Sequence, residues 1–375
     1  MKNRDTQRQI AERFASFLTP EERERHPLYA ALCQLATPTS PLVAALLDAS
    51  PAQRRPNLLF AALHDLSLSE PSSPLRQAYP TAAWFHSLRG DLDAPAAEPS
   101  IDPGADLATS IDIVFEVLGA QHHQVAELVA TRSTQTNEVG RSSPLLAGLS
   151  LASRGEAISL IDLGCSAGLN LAADHYDISW SDGSHLGDTA SDVHIDTELR
   201  AVAPDVSTPE IVWRAGVDLS PIDLADDAEA RWLLACQWPD DLPRFERTRR
   251  AIGAWRRSAP DHQILRGDLV SSLPDLVDAA PSDTRLVVHH SWVAAYLELD
   301  EQRSLAALLR RLAHSRPLSW LYLEHPSEVP GLDPPRCIGT RLRGSSLLVL
   351  EEDGTAVVLA QGQPHGTWLS FEPGV

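Results

Sequence analysis

Ile10, Phe14, Phe17 and Leu18 recur at intervals of three and four residues, and Ile111, Val114, Phe115, Leu118, Val125, Leu128 and Val129 do so again further along. That period puts each set on one face of a helix. No strand pattern interrupts them, and prolines at 38, 41, 51, 56, 71, 74 and 80 cut the intervening stretch into short helices and turns. The run EERERH (21–26) reads as a solvated helix face, and GDLDAPAAEPSIDPGAD (90–106) as an exposed loop.

From about residue 155 short apolar runs alternate with helical segments. AISLID, EIVWRAGVDLSP, HQILRGDL, TRLVVHHS and PLSWLYLEH read as strands. LNLAADHY reads as the helix after the first of them, and segments around 225–236, 243–258 and 300–314 as further helices. Buried strands joined by helices predict an α/β fold: a doubly wound, mostly parallel, Rossmann-like sheet. In the tail two strands meet at Asp353-Gly354, a hairpin turn, with a third strand after them, so the sheet ends in antiparallel strands. The expected organisation is an all-helical region over 1–153 and a Rossmann-like domain over 154–375, with an insertion at about 176–210.

Composition narrows the function classes. With 31 basic and 51 acidic groups the net charge is −20, a field that repels phosphate backbones, so nucleic acid is not an expected partner. Cys33, Cys165, Cys236 and Cys337 lack C-x-x-C spacing, which argues against zinc and against a disulfide framework. The N-terminus has no apolar leader core and no run of 18 apolar residues follows. We therefore expect a cytoplasmic protein with no membrane partner. The only lysine is Lys2, which excludes a Walker A loop, a kinase and a Schiff-base enzyme.

The chemistry concentrates in IDLGCSAGLN (161–170), which has two readings. Gly164-Cys165-Ser166-Ala167-Gly168 matches the G-x-S-x-G turn of serine hydrolases. The same residues also match a glycine loop after the first strand of a nucleotide-binding sheet. The hydrolase reading needs strands and an oxyanion loop upstream, where the pattern is helical. The nucleoside reading expects an acidic residue at the end of the second strand, and Asp218 stands there. Asp162 lies two residues before the first glycine, the third glycine of G-x-G-x-x-G is missing, and the sheet closes antiparallel. These features resemble class I S-adenosylmethionine-dependent methyltransferases, with Ser166 in place of their middle glycine. QTNEVGR, LGCSAGLNL, GVDLSPIDL with RWLLACQWPD, HHSWVAAYL and PHGTW together resemble a bacterial family, the domain of unknown function 2332. That resemblance implies a helical N-terminal region on a methyltransferase-like core, and no known substrate.

The methyltransferase resemblance assigns Asp162, Gly164, Ser166, Gly168 and Asn170 to S-adenosylmethionine. Asp162 orients the loop or the cofactor amino group, or caps the next helix. Asp218 takes the ribose hydroxyls, and Asp268 takes the adenine amino group or serves a turn. His289, His290 and Ser291 end the fourth strand, where open α/β sheets place reactive groups. His290 is the candidate general base, with Ser291 and Glu324 as catalytic companions; Glu324 and His325 end the fifth strand. Asn137, Glu138 and Arg141, with His289, are candidates for the acceptor, a small molecule. Arg141 would bind a carboxylate from an exposed turn; the competing reading has Asn137 or Ser142 capping the next helix. The adjacent His122 and His123 point apart on a helix, and no metal site is expected. Two functions stay open: a small-molecule methyltransferase with the helical region and the insertion as lids, or a non-catalytic nucleoside-binding or regulatory relative. A serine hydrolase is the third. The oligomeric state is not legible.

Overall fold

A computed structural model describes residues 2–95, 97, 99, 104–258 and 262–375. The chain forms two compact units, Met1–Thr136 with Leu224–Arg249, and Asn137–Asp223 with Arg250–Val375. Among the described residues no helix is long and apolar enough to cross a membrane.

The first unit is helical. Ile10, Phe14 and Leu18 are buried as the period requires. The prolines that look like breakers are starters: Pro20, Pro27, Pro41, Pro56 and Pro80 each occupy the first turn of a helix, where the missing N–H costs nothing. EERERH forms the exposed helix Pro20–Arg25, closed by a capping box between Thr19 and Glu22. Part of the expected 90–106 loop lies outside the described residues; its end, Asp106, caps helix Leu107–Ala120. His122 and His123 do not diverge. Their ring centroids lie 3.9 Å apart, because His122 opens its helix and turns back so that Nδ1 is 3.2 Å from Gly119 O.

Among the described residues the second unit carries eleven strands: β1 (Ile158–Leu163), β2 (Asp177–Trp180), β3 (His185–Gly187), β4 (His194–Leu199), β5 (Ile211–Asp218), β6 (His262–Arg266), β7 (Arg285–Ser291), β8 (Leu318–Glu324), β9 (Ser346–Glu352), β10 (Thr355–Gly362) and β11 (Trp368–Phe371). Their order is β3-β2-β4-β11-β10-β9-β8-β7-β1-β5-β6. The block β8-β7-β1-β5-β6 is parallel throughout, and β9, β10 and β11 follow as an antiparallel run. Asp353 and Gly354 turn β9 into β10 with φ of +50° and +75°, the left-handed pair that matches strand twist. The fold is thus the expected Rossmann-like sheet with antiparallel C-terminal strands and a helical N-terminal region.

Both faces are covered. Ile161, Leu163, Val288, Trp320 and Tyr322 pack with Leu273, Leu276, Leu305 and Leu309, from helices Leu269–Ala279 and Leu299–Ala313. Strand alternation sends Asp162, His289 and Leu321 to the opposite face, where Gly148 of helix Ser142–Ser153 sits so close to Leu321 that a Cβ would approach to 2.6 Å.

Four expectations change. The segment after β1 is a kinked 3-10 helix, Leu169–His175, not an α-helix. Leu269–Ala279, where no helix is expected, is a helix with Pro274 inside it. The insertion is no lid: β2 and β4 pair in parallel, β4 joins β11, and the sheet is extended by three strands. Helix Ser142–Ser153 belongs with the sheet because its buried face packs on β8, and 224–249 belongs with the helices.

Candidate functional site

From β1 the chain winds outward to β5 and β6, then returns to the other side of β1 for β7 and β8. The strand order therefore reverses between β1 and β7, and in such sheets the crevice at the carboxyl ends there is the ligand site. Asp162 and His289 are register partners at this place. Both are buried, and His289 Nδ1 lies 3.8 Å from Asp162 Oδ1, beyond hydrogen-bonding range. Among the described residues neither ring nitrogen of His289 has a hydrogen-bond partner. Burial, with a smaller push from His290, lowers the His289 pKa to about 3, so the ring is neutral. Burial, then the nearby Asp218, raises Asp162 well above the usual carboxylate range, while Arg141 opposes them.

The loop leaving β1 is tightly bound to its surroundings. Gly164, Ser166 and Gly168 have φ of +72°, +54° and +75°. A Cβ on Gly164 would meet Val293 at 2.5 Å, and one on Gly168 would meet Ile264 at 2.7 Å. Gly164 and Cys165 donate to Val217 O at 2.7 and 3.2 Å, and Gly168 donates to Cys165 O at 2.8 Å. Ser166 N donates to Asp218 Oδ2 at 2.9 Å, and Leu169 N donates to Asn137 Oδ1, also at 2.9 Å. The second oxygen of Asp218 accepts from Ser220 N at 2.8 Å. Asp218 thus ties the two strand ends together, and each of its oxygens keeps a further lone pair.

The Asn137–Arg141 turn is not exposed. Asn137, Glu138 and Arg141 are 3%, 0% and 6% accessible, because a second loop packs against them. Arg141 Nε donates to Pro364 O at 2.9 Å and its Nη1 to Ser291 O at 3.2 Å. Glu138 accepts from Gly140 N and from His365 Nδ1, each at 3.0 Å. Gly366, with φ of +77°, approaches so closely that a Cβ would lie 2.0 Å from Gly140 O. The capping reading changes too. Helix Ser142–Ser153 has no side-chain cap; Asn137 serves the 3-10 helix instead, and Ser142 Oγ donates to Asn170 Oδ1 at 3.1 Å.

The remaining candidates fall elsewhere. His290 and Glu324 point to the face opposite Asp162, fully buried, with His290 Nδ1 2.8 Å from Glu324 Oε1. The same oxygen accepts from Val293 N and Ala294 N at 2.9 and 3.0 Å. The pair therefore fixes the turn after β7, whose Val293 presses on Gly164, and does not stand with Asp162 as a base. Ser291 offers Arg141 its carbonyl. Asp268 is exposed and caps helix Leu269–Ala279 through Ser271 N at 2.9 Å, which answers the turn reading. His325 pairs with Ser327 Oγ at 2.7 Å.

The family model described as "Uncharacterized protein conserved in bacteria (DUF2332)" matches residues 11–371. The chain belongs to this family. No curated protein matches it. A solved structure, that of DesVI from Streptomyces venezuelae, is similar at 15% identity, covering 60% of this chain and 64% of that one, with a TM-score of 0.23. The match thus spans less than two thirds of DesVI, and at this score the likeness carries no argument.

Within this DUF2332 chain, motifs far apart in sequence converge on one edge. LGCSAGLNL supplies the loop, HHSW ends β7, and QTNEVGR meets PHGTW through Arg141, Glu138 and His365. Sequence reasoning missed His365 and Trp292 as neighbours of the site. PHGTW held no recognised chemistry by itself, but Trp292, a bulky residue at φ +55°, carries the guanidinium of Arg141 5.9 Å from its ring centre.

Proposed function

We propose that this chain is an S-adenosylmethionine-dependent methyltransferase of the class I type, acting on a small molecule. The observation that carries the reading is the buried His289, with both ring nitrogens unpartnered, facing Asp162 at the strand-order reversal. Buried polar atoms are nearly always satisfied, so two at a crevice of this kind call for a polar guest.

The donor set fits a nucleoside cofactor without a pyrophosphate. A dinucleotide is held by main-chain N–H groups of the glycine loop, and here those of Gly164, Cys165, Ser166, Gly168 and Leu169 are already engaged. Two acids, Asp162 and Asp218, stand beside the single cation Arg141, and each disfavours the other's charge, so a positively charged ligand would relieve their repulsion. Asp162 and the loop would hold the methionine end, and the remaining lone pairs of Asp218 the ribose diol. When bound, the cofactor supplies an electrophilic methyl group. His289, being neutral, offers one donor and one acceptor towards the site. Arg141 holds the end of β7 and the 364–366 loop in place around it.

The hydrolase reading loses its support, because β1 is the first strand among the described residues. A non-catalytic relative is favoured by one observation: the side chains of Asp218 and Asn137 fix the loop from within the protein. Calorimetry with S-adenosylmethionine and S-adenosylhomocysteine tests the cofactor assignment. Low-micromolar binding, about −8 kcal/mol, is expected; no heat and no thermal shift at millimolar ligand would overturn it. Methyl release in the presence of a mixed metabolite extract separates an enzyme from a binding protein.

A further inference from the structure

We propose that Arg341 and Trp292 receive the methyl acceptor, and that the acceptor is a small aromatic carboxylate. The inference rests on the cofactor reading above and adds the substrate class. In a chain of net charge −20, the connection from β8 to β9 carries Arg336, Arg341 and Arg343, with no acidic residue between Asp333 and Glu351. A basic segment in an acidic protein draws anions to that place.

Arg341 is held from both sides by two buried side chains. Gly339 N donates to Glu372 Oε2 at 2.6 Å, Leu342 N to Gln361 Oε1 at 2.8 Å, and Gln361 Nε2 to Thr340 O at 3.1 Å. Arg341 itself is exposed, and among the described residues no carboxylate pairs with it. Its Nη2 makes long contacts, 3.5 Å to His325 Nε2 and 3.4 Å to Ser345 O, so most of its donors are open to a guest. His325 adds no competing charge: its Nδ1 is 2.7 Å from Ser327 Oγ, and burial, then Arg341, lower its pKa while Glu328 opposes them.

Trp292 supplies the apolar wall. Its ring centre lies 6.4 Å from that of His325, and its Nε1 donates to Ser346 Oγ at 3.0 Å. A bulky residue at φ +55° is held there by its surroundings, and such positions concentrate at ligand sites. Trp292 and His325 leave the carboxyl ends of β7 and β8, so His325 stands two strand spacings, about 10 Å, across the sheet from β1. Arg141, the other cation at this edge, gives its Nε and Nη1 to Pro364 O and Ser291 O. A carboxylate matches the flat fork of a guanidinium, and an aromatic body beside it lies against the indole.

The experiment titrates benzoate, benzamide, benzylamine and inorganic phosphate into the full chain, with and without saturating S-adenosylhomocysteine. It follows the indole N–H resonance of Trp292, assigned by its loss in Trp292→Phe. Benzoate is expected to bind with a Kd on the order of 1 mM, at least about tenfold tighter than benzamide, to move that resonance, and to leave S-adenosylhomocysteine in place. Arg341→Gln should weaken benzoate at least about tenfold, whereas Arg303→Gln, which removes an equal charge from an exposed pair with Asp300, should change it by less than about twofold. Five outcomes overturn the inference and leave the cofactor reading standing: equal binding of benzoate and benzamide, phosphate or benzylamine binding as tightly as benzoate, an unmoved Trp292 resonance, displacement of S-adenosylhomocysteine, or an effect of Arg341→Gln no larger than that of Arg303→Gln. Benzoate binding by a protein that takes no S-adenosylhomocysteine removes the acceptor role, and the cofactor reading falls with it.

Discussion

Acidification probes the buried histidine without any ligand. The folded protein holds His289 neutral down to about pH 3, whereas an unfolded chain protonates it near pH 6.5. As pH falls through that window the unfolded state binds the proton first, so this contribution is complete above about pH 6.5 and is lost as pH drops towards 3. Between pH 6.5 and 5 the loss is about 1.5 units at 1.36 kcal/mol each, or about 2 kcal/mol. Asp162 works against it: its folded pKa is raised, so the folded state takes up a proton there before the unfolded state does, and gains stability on acidification. His64 and His262 are also lowered, each to about 4 and chiefly by burial, so the wild-type slope alone is ambiguous. The assay is therefore a difference, from urea unfolding at pH 7 and pH 5 of the wild type and of His289→Gln. The wild type should lose about 2 kcal/mol more than the variant; an equal loss in both would refute the burial argument.

Three further outcomes follow from the geometry. Arg141→Ala should cost about 3 kcal/mol in urea unfolding, the loss of its charged hydrogen bonds to Pro364 and Ser291; a variant as stable as the wild type would return these residues to an exposed turn. Gly366→Ala should lower stability by more than about 3 kcal/mol, since its Cβ would lie 2.0 Å from Gly140 O, while Gly344→Ala, also at positive φ but in open space, should cost only about 1 kcal/mol; similar thermal shifts for the two would contradict the close approach. Ser166→Gly should change stability by less than about 1 kcal/mol, because relief of the left-handed φ offsets the freedom glycine gains in the unfolded chain, and should keep S-adenosylhomocysteine binding; a wild-type esterase activity that this variant abolishes would restore the hydrolase reading.

The fold was legible where periodicity speaks. The runs ending at Leu163, Ser291 and Glu324 are buried on both faces, and a continuous apolar run is the signature of such a strand; the run ending at Asp218 is buried only over Ala215–Val217. Helix Leu269–Ala279 was hidden by Pro274, and β2 to β4 by polar alternation in a stretch that reads as an insertion. The site was legible in its parts and not in its facing. HHS at the end of a strand reveals two histidines, yet one residue of register decides which reaches the crevice. It is His289 that meets Asp162, while His290 turns into the opposite core. The burial of Asn137, Glu138 and Arg141 was invisible for another reason: the loop that covers them lies more than two hundred positions away.

That separation has a consequence for synthesis. A ribosome releases this chain from its amino end, so the glycine loop, Asp162 and the 137–141 turn are all made long before Pro364, His365 and Gly366. Until those residues arrive, Arg141 and Glu138 lack the carbonyl and the imidazole that hold them in the finished protein, and the edge of β7 lacks its brace. A nascent chain halted after β10 would therefore carry the whole glycine loop motif and still lack the brace around it, so this edge of the sheet would be completed late in translation.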